Sequence, residues 1–154
     1  MFTDREYKFS AVGNYPETCM FVRTANDDKN TASTSVQTTL KVPLASTIYL
    51  DFWGGSKHLD KVSSWIGSWS VASDATPTTF DGKRWGPGTV MKRDFGAGTV
   101  DLMGNDGKDH GTYYAFVCPQ GKSVSNNHCI QAVLIHFEVN ERVILLVVLI
   151  NIAI

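Results

Sequence analysis

The stretch Val36-Gln37-Thr38-Thr39-Leu40-Lys41-Val42 alternates apolar and polar side chains at nearly every step. A period of two is typical of a β-strand that buries one face and exposes the other. The stretch Ile48-Tyr49-Leu50-Asp51-Phe52, a few residues later, predicts a second strand that carries apolar residues on both faces. Two strands so close in sequence favour a fold built from antiparallel β-structure.

The rest of the first 121 residues continues this pattern of short strands and close turns. Turn residues such as Asn26-Asp27-Asp28, Gly54-Gly55 and Pro87-Gly88 separate the apolar stretches. Only residues 57–64 suggest a short helical turn. Further strands are predicted at 7–12, 20–24, 65–71, 89–93, 99–103 and 112–117. Many strands without a long helix predict an all-β fold, a two-sheet antiparallel sandwich or a barrel.

Length and charge narrow the class of protein. The chain has 154 residues, which suits one domain with one sizeable core. Its formal net charge is −1, and its basic residues are scattered rather than clustered. The charge therefore gives no reason to expect nucleic acid or an anionic membrane as a partner.

Residues 122–154 differ in composition from residues 1–121, which we take as the sandwich domain. This tail contains no glycine, and residues 143–154 are apolar apart from Asn151. Twelve residues span roughly 18 Å as a helix, whereas the hydrocarbon core of a bilayer is about 30 Å thick. Three interpretations follow: a terminal strand, a truncated membrane anchor, or a non-native end produced by splicing.

The cysteines and the N-terminus leave the cellular compartment open. Cys19, Cys118 and Cys129 are three, so they allow one disulfide with a free thiol, or three thiols. The chain begins with charged residues and shows no apolar signal-peptide segment.

The segment Asp109-His110-Gly111-Thr112-Tyr113-Tyr114-Ala115 carries a resemblance. It resembles the Asp-x-Gly-x-Tyr-x-Cys signature of the immunoglobulin superfamily, with Ala115 in place of the second cysteine. In that family the tyrosine, here Tyr113, bonds back to the backbone in the "tyrosine corner".

Other motifs of the family fall in the expected order. Val42 stands where the strand B cysteine belongs, and Trp53 resembles the core tryptophan of strand C. Trp65-Ile66-Gly67 is similar to a motif of strand C′ in variable-type domains. Arg84 stands where the family has a basic residue that pairs with the acidic residue of the tyrosine corner, here Asp109.

The resemblance implies a variable-type immunoglobulin-like sandwich that lacks the disulfide between strands B and F. It implies an extracellular or cell-surface location, and it would require strand G to come from the tail. The alternative is an unrelated sandwich such as a lectin-type jelly roll.

A search for reactive groups yields no catalytic constellation. His58 with Asp60 suggests at most a weak metal or proton site, and the acidic residues from Asp101 to Asp109 suggest at most a weak calcium loop. Cys118, His128 and Cys129 do not match the spacing of a usual zinc site. The sequence therefore predicts a binding protein that is not an enzyme and that needs no metal or cofactor.

Aromatic residues provide the predicted binding surface, because the sheets contain more of them than one face can bury. The residues expected on an exposed face are Tyr49, Trp65, Trp69, Tyr114 and Phe116. Exposed aromatic patches serve protein contacts or stacking on sugars. Two functions follow: an adhesion or recognition domain that binds a protein, including a second copy of itself, or a carbohydrate-binding module.

Overall fold

A computed structural model describes residues 3, 4, 6, 8–52, 56–80, 88–108, 111–121, 130–139 and 142–151. Within these ranges the chain is mostly β-structure with two short α-helices and one 3₁₀ helix. In chain order the elements are β1 (Phe9–Ala11), β2 (Met20–Val22), the 3₁₀ helix (Asn26–Asn30), β3 (Val36–Val42), β4 (Ser46–Phe52), α1 (Ser56–Lys61), α2 (Ser63–Ile66), β5 (Ser70–Val71), β6 (Thr79–Phe80), β7 (Thr89–Phe95), β8 (Gly98–Met103), β9 (Tyr114–Pro119), β10 (Ile130–Val139) and β11 (Arg142–Asn151).

The strands form two main antiparallel sheets and one small one. The larger sheet has the order β2-β9-β4-β7-β5, and the second has the order β11-β10-β3-β8. Strands β1 and β6 pair separately. The two main sheets pack face to face, which confirms the predicted all-β sandwich at the level of its architecture.

The core between the sheets follows from the alternation read in the sequence. Ile48, Leu50 and Phe52 of β4 point into it, as do Ala115 and Val117 of β9. From the opposite sheet the core receives side chains of β3 and β8, namely Leu40, Val42, Val100 and Leu102. Each of these apolar side chains contributes about 1–3 kcal/mol by leaving water, so this layer holds the two sheets together.

The strand predicted over residues 65–71 is wrong for most of its length. Helix α2 occupies Ser63–Ile66, and only Ser70–Val71 are extended. The local reason is the spacing of Trp65 and Trp69, whose rings meet edge to face with centroids 6.2 Å apart. A compact turn brings the two rings into contact, which a strand would not do because residues four apart in a strand lie about 13 Å apart.

The tail pairs with a different sheet from the one expected for strand G. Strands β10 and β11 form a long hairpin, and β10 joins β3 through the pairs Phe137↔Leu40 and Glu138↔Thr39. The place beside β9 is taken by β2, through pairs such as Phe21↔Phe116. The expectation that the tail supplies strand G is therefore corrected, because an N-terminal strand occupies that edge. None of the helices in the described ranges is long and apolar enough to cross a membrane.

Candidate functional site

The outer face of the larger sheet carries the aromatic residues that the sequence placed there. Tyr49, Tyr114 and Phe116 lie opposite the core face, as strand alternation requires. They are nevertheless buried, with 6%, 1% and 2% of their surfaces exposed. The expectation of a solvent-facing aromatic surface is therefore corrected for these three residues.

The cover over this face is the N-terminal segment, residues 8–19. The Tyr15 ring stacks on Phe116 with centroids 4.0 Å apart, and Phe9 meets Tyr114 edge to face at 5.1 Å. A disulfide joins Cys19, at the end of the segment, to Cys118 of β9. The sequence indicated that this segment packs on the domain only through its large aromatic residues, Phe9 and Tyr15, because such side chains are usually buried.

The two predicted tryptophans pack at the inner core instead of joining the outer face. Trp69 is 9% exposed, and Trp65 is half-buried and donates from Nε1 to the carbonyl oxygen of Gly104 at 3.1 Å. The buried ring of Trp69 is therefore not available for stacking on a sugar, and Trp65 packs partly against the same core. The five predicted face residues thus divide between two buried clusters.

Three of the predicted structural residues lie in the core. Val42 and Ala115, on opposite sheets, are both buried in the cluster between them. The hydroxyl of Tyr113 donates to the carbonyl oxygen of Met103 at 2.8 Å. Burial, and to a smaller extent the charge of Asp28, raises the pKa of Tyr113 far above its usual value. Trp53, Arg84 and Asp109 lie outside the described residues.

The weak metal and proton sites considered from the sequence have structural roles where they are described. His58 is fully buried against Asn105, whose Nδ2 also donates to the carbonyl oxygen of Gly111 at 2.9 Å. The carbonyl oxygen of Asp106 accepts from Lys61 at 3.1 Å, which ties down the loop considered for calcium. Within the described ranges no group of three His, Cys, Asp or Glu residues is arranged to hold a metal. His128 and Cys129 lie outside them.

A cleft of about 240 Å³ opens on the outer side of the larger sheet, beyond the N-terminal cover. Its lining is polar and combines hydrogen-bond donors with acceptors. Strands β4, β5 and β7 and two connecting segments contribute to it. We call it the polar cleft; its lining residues are Thr47, Tyr49, Ser70, Asp74, Lys92, Arg93, Asp94 and Gln120.

An ion pair forms one side of the polar cleft. Lys92 Nζ lies 2.8 Å from both carboxylate oxygens of Asp74, and the hydroxyl of Tyr49 donates to Asp74 at 3.4 Å. The hydrogen bond with Lys92 lowers the pKa of Asp74, and the same bond raises the pKa of Lys92. Both groups are therefore charged at neutral pH and present a fixed donor and a fixed acceptor to a ligand.

A chain of side-chain hydrogen bonds that ends on Asp94 forms the other side. Gln120 Nε2 donates to Thr47 Oγ1 at 3.0 Å, and the Thr47 hydroxyl donates to Asp94 at 2.6 Å. Arg93 instead bonds to Ser68 and lies 5.0 Å from the Phe95 ring. The described lining contains no histidine or cysteine; its titratable side chains are Tyr49, Asp74, Lys92, Arg93 and Asp94.

Residue types alone did not reveal this site. Of the predicted binding residues only Tyr49 lines the polar cleft. The other lining residues come from segments that lie far apart in sequence. Comparison of the chain with protein-family models, with curated proteins and with solved structures gave no match.

Proposed function

We propose that this chain is a non-catalytic recognition domain that binds a saccharide in the polar cleft. The observation that carries the proposal is the cleft itself, about 240 Å³ in volume and lined by side chains that donate and accept. A space of this size accommodates roughly one sugar ring, and converging polar groups are what fix the orientation and specificity of a ligand in a binding site.

The chemistry of the lining favours a polyhydroxylated ligand over an apolar one. Sugar hydroxyls both donate and accept, so they match Asp74 and Asp94 as acceptors and Lys92 as donor. Because Asp74 and Lys92 neutralise each other, the cleft offers bonding capacity without a strong net charge. A neutral saccharide fits this balance better than a nucleotide or a phosphorylated ligand does.

A protein partner, including a second copy of this chain, is the second candidate. Val71 of β5, the last strand of the larger sheet, is 64% exposed and follows Ser70 of the polar cleft. An exposed strand edge with an apolar side chain is a place where another chain can dock. If this is the function, Val71→Asp will abolish concentration-dependent self-association in ultracentrifugation, whereas Leu44→Asp on the exposed β3–β4 turn will not.

We further propose that the sandwich is of the variable-type immunoglobulin kind, with the lectin-type jelly roll as the alternative. Pairing of β3 with β8 and of β4 with β9 corresponds to the pairing of strands B with E and C with F in that family. The bond from Tyr113 to Met103 supports a tyrosine corner. Helix α2 at Trp65 departs from the family, since a C′ strand is expected there.

An extracellular location belongs to the same proposal. The disulfide between Cys19 and Cys118 supports it, because such bonds persist in oxidising compartments and are rare in the cytosol. An adhesion or receptor role would follow from that location together with a saccharide ligand on a neighbouring surface.

A glycan array followed by calorimetry tests the saccharide proposal. Lys92→Ala removes one charged donor and Asp94→Asn replaces one charged acceptor with a neutral amide, and we expect each to weaken binding at least tenfold, since a hydrogen bond to a charged group contributes about 1.5–3 kcal/mol. Lys41→Ala, an exposed lysine on the other sheet, is the matched control and leaves the affinity unchanged. Binding that survives both cleft variants, or no binding on the array, contradicts the proposal.

A further inference from the structure

Asp51 is a fully buried carboxyl group on the outer face of β4, beneath the N-terminal cover. Its Oδ2 accepts from the backbone nitrogen of Thr78 at 2.6 Å and from the hydroxyl of Tyr15 at 3.2 Å. Its Oδ1 is buried without a hydrogen-bond partner among the described residues. One carboxyl group therefore connects two separate chain segments and leaves half of its bonding capacity unused.

The same two segments are joined a second time, closer to the polar cleft. Thr76 donates from its backbone nitrogen to Asn14 Oδ1 at 2.5 Å, and Asn14 Nδ2 donates to the carbonyl oxygen of Asp74 at 3.3 Å. Asp74 is the residue that holds Lys92 in the cleft. A continuous series of contacts thus runs from Asp51 through Tyr15 and Asn14 to Asp74 in the polar cleft.

Among the described residues, the surroundings of Asp51 offer no cation to balance its charge. On β9 the residue paired with it is Tyr114, and on β7 it is Val90. The N-terminal segment contributes Tyr15, and residues 72–80 contribute Thr78. The titratable groups that face Asp51 from the described elements are therefore two tyrosines, which are neutral at physiological pH.

We propose that Asp51 is a pH-sensitive latch: when it loses its proton, it loosens residues 8–19 and 74–78 together and so disturbs the polar cleft. The consequence for ligand binding rests on the proposed function, but the latch itself does not.

The burial of Asp51 determines the direction in which a change of pH moves the latch. Desolvation is the largest cause that raises the pKa of Asp51 from its usual 3.8 to about 6, and the bonds from Thr78 and Tyr15 oppose it only in part. A closed latch therefore favours the neutral carboxyl, whereas an open latch gives the anion access to water. Between pH near 5 and pH near 7.5 the population of the open state rises about tenfold by proton linkage.

Amide hydrogen exchange of the full chain, corrected for the intrinsic effect of pH, tests the latch without any ligand. The amides of Thr76 and Thr78 donate the bonds in question, and that of Leu50 in the central strand β4 reports global unfolding. We expect Thr76 and Thr78 to open at least tenfold more often than Leu50, and their protection to fall about tenfold between pH near 5 and pH near 7.5. Equal opening of all three amides overturns the proposal, because the segments would then not move separately.

Two variants distinguish the pH effect of Asp51 from that of other carboxyl groups. Asp51→Asn removes the pH dependence of the Thr76 and Thr78 amides, whereas Asp101→Asn, an exposed carboxyl on β8, retains it. If Asp51→Asn does not fold, Tyr15→Phe keeps the ring and removes one bond, and we expect it to lower protection more at the higher pH. Persistent pH dependence in Asp51→Asn, or an equal loss at both pH values in Tyr15→Phe, overturns the latch. Failure to bind saccharide contradicts only the proposed function.

Discussion

The ring of Tyr15 stacks on that of Phe116 with centroids 4.0 Å apart and planes inclined by 16°. The two residues are 101 positions apart in sequence, and their contact makes the N-terminal segment a structural layer over the outer face of the larger sheet. The sandwich therefore has a third, partial layer, and the polar cleft that we propose as the binding surface lies beyond it.

Removal of the Tyr15 ring destabilises the whole domain. Tyr15→Ala loses the stack on Phe116 and the bond to Asp51, and we expect the free energy of unfolding to fall by about 2–4 kcal/mol in urea titrations. Glu17→Ala, two residues away and exposed, serves as the control and changes it by less than about 0.5 kcal/mol. A change in Tyr15→Ala as small as that of the control would show that the cover contributes no stability.

The disulfide between Cys19 and Cys118 closes a loop of 99 residues. A cross-link of this span stabilises the folded state by about 4–5 kcal/mol, mainly because it restricts the unfolded chain. We expect the double variant Cys19→Ser/Cys118→Ser to lower the free energy of unfolding by about 3–5 kcal/mol and to be insensitive to reductant. If the native chain has the same stability with and without reductant, this role of the disulfide is refuted.

Asp51 also predicts the pH dependence of global stability. Its pKa is about 6 in the folded chain and 3.8 when exposed. The contribution of the Asp51 carboxyl group to the free energy of unfolding is therefore fully present below pH 3.8 and is lost as the pH rises through 6. By linkage, the native chain should lose about 2 kcal/mol relative to Asp51→Asn between pH near 4.5 and pH near 7.5. Parallel stability curves for the two proteins would mean that Asp51 is not buried as described.

The pattern of apolar and polar residues along the chain predicted most of the strands, because a strand depends on residues that are close in sequence. The strand around Leu40 was predictable because apolar and polar residues alternate along it, and the strand around Leu50 because it is apolar on both faces. Tyr113 and Ala115 are two residues apart and both lie in the core. The strand predicted at Trp65 was wrong because tryptophan is enriched in strands but also occurs in short helices. The residue type alone does not distinguish the two.

The cover and the cleft depend on contacts between distant segments. Phe9 and Tyr15 contact strand β9, and nothing in their neighbours along the chain indicates that partner. The cleft combines residues from Thr47 to Gln120 on separate segments. The odd number of cysteines left the pairing of Cys19 open, and only the register of β2 against β9 places it beside Cys118.

The most direct test of the central claim is a titration of the ¹⁵N-labelled chain with the saccharide that binds best on the array, followed by amide chemical shifts. We expect progressive, saturable shifts at Thr47, Lys92 and Asp94 in the polar cleft, and none at Val100 on the opposite sheet. In Lys92→Ala these shifts should need at least tenfold more saccharide to reach saturation. Saturable shifts that cluster away from the cleft, or that persist unchanged in Lys92→Ala, would contradict the proposal.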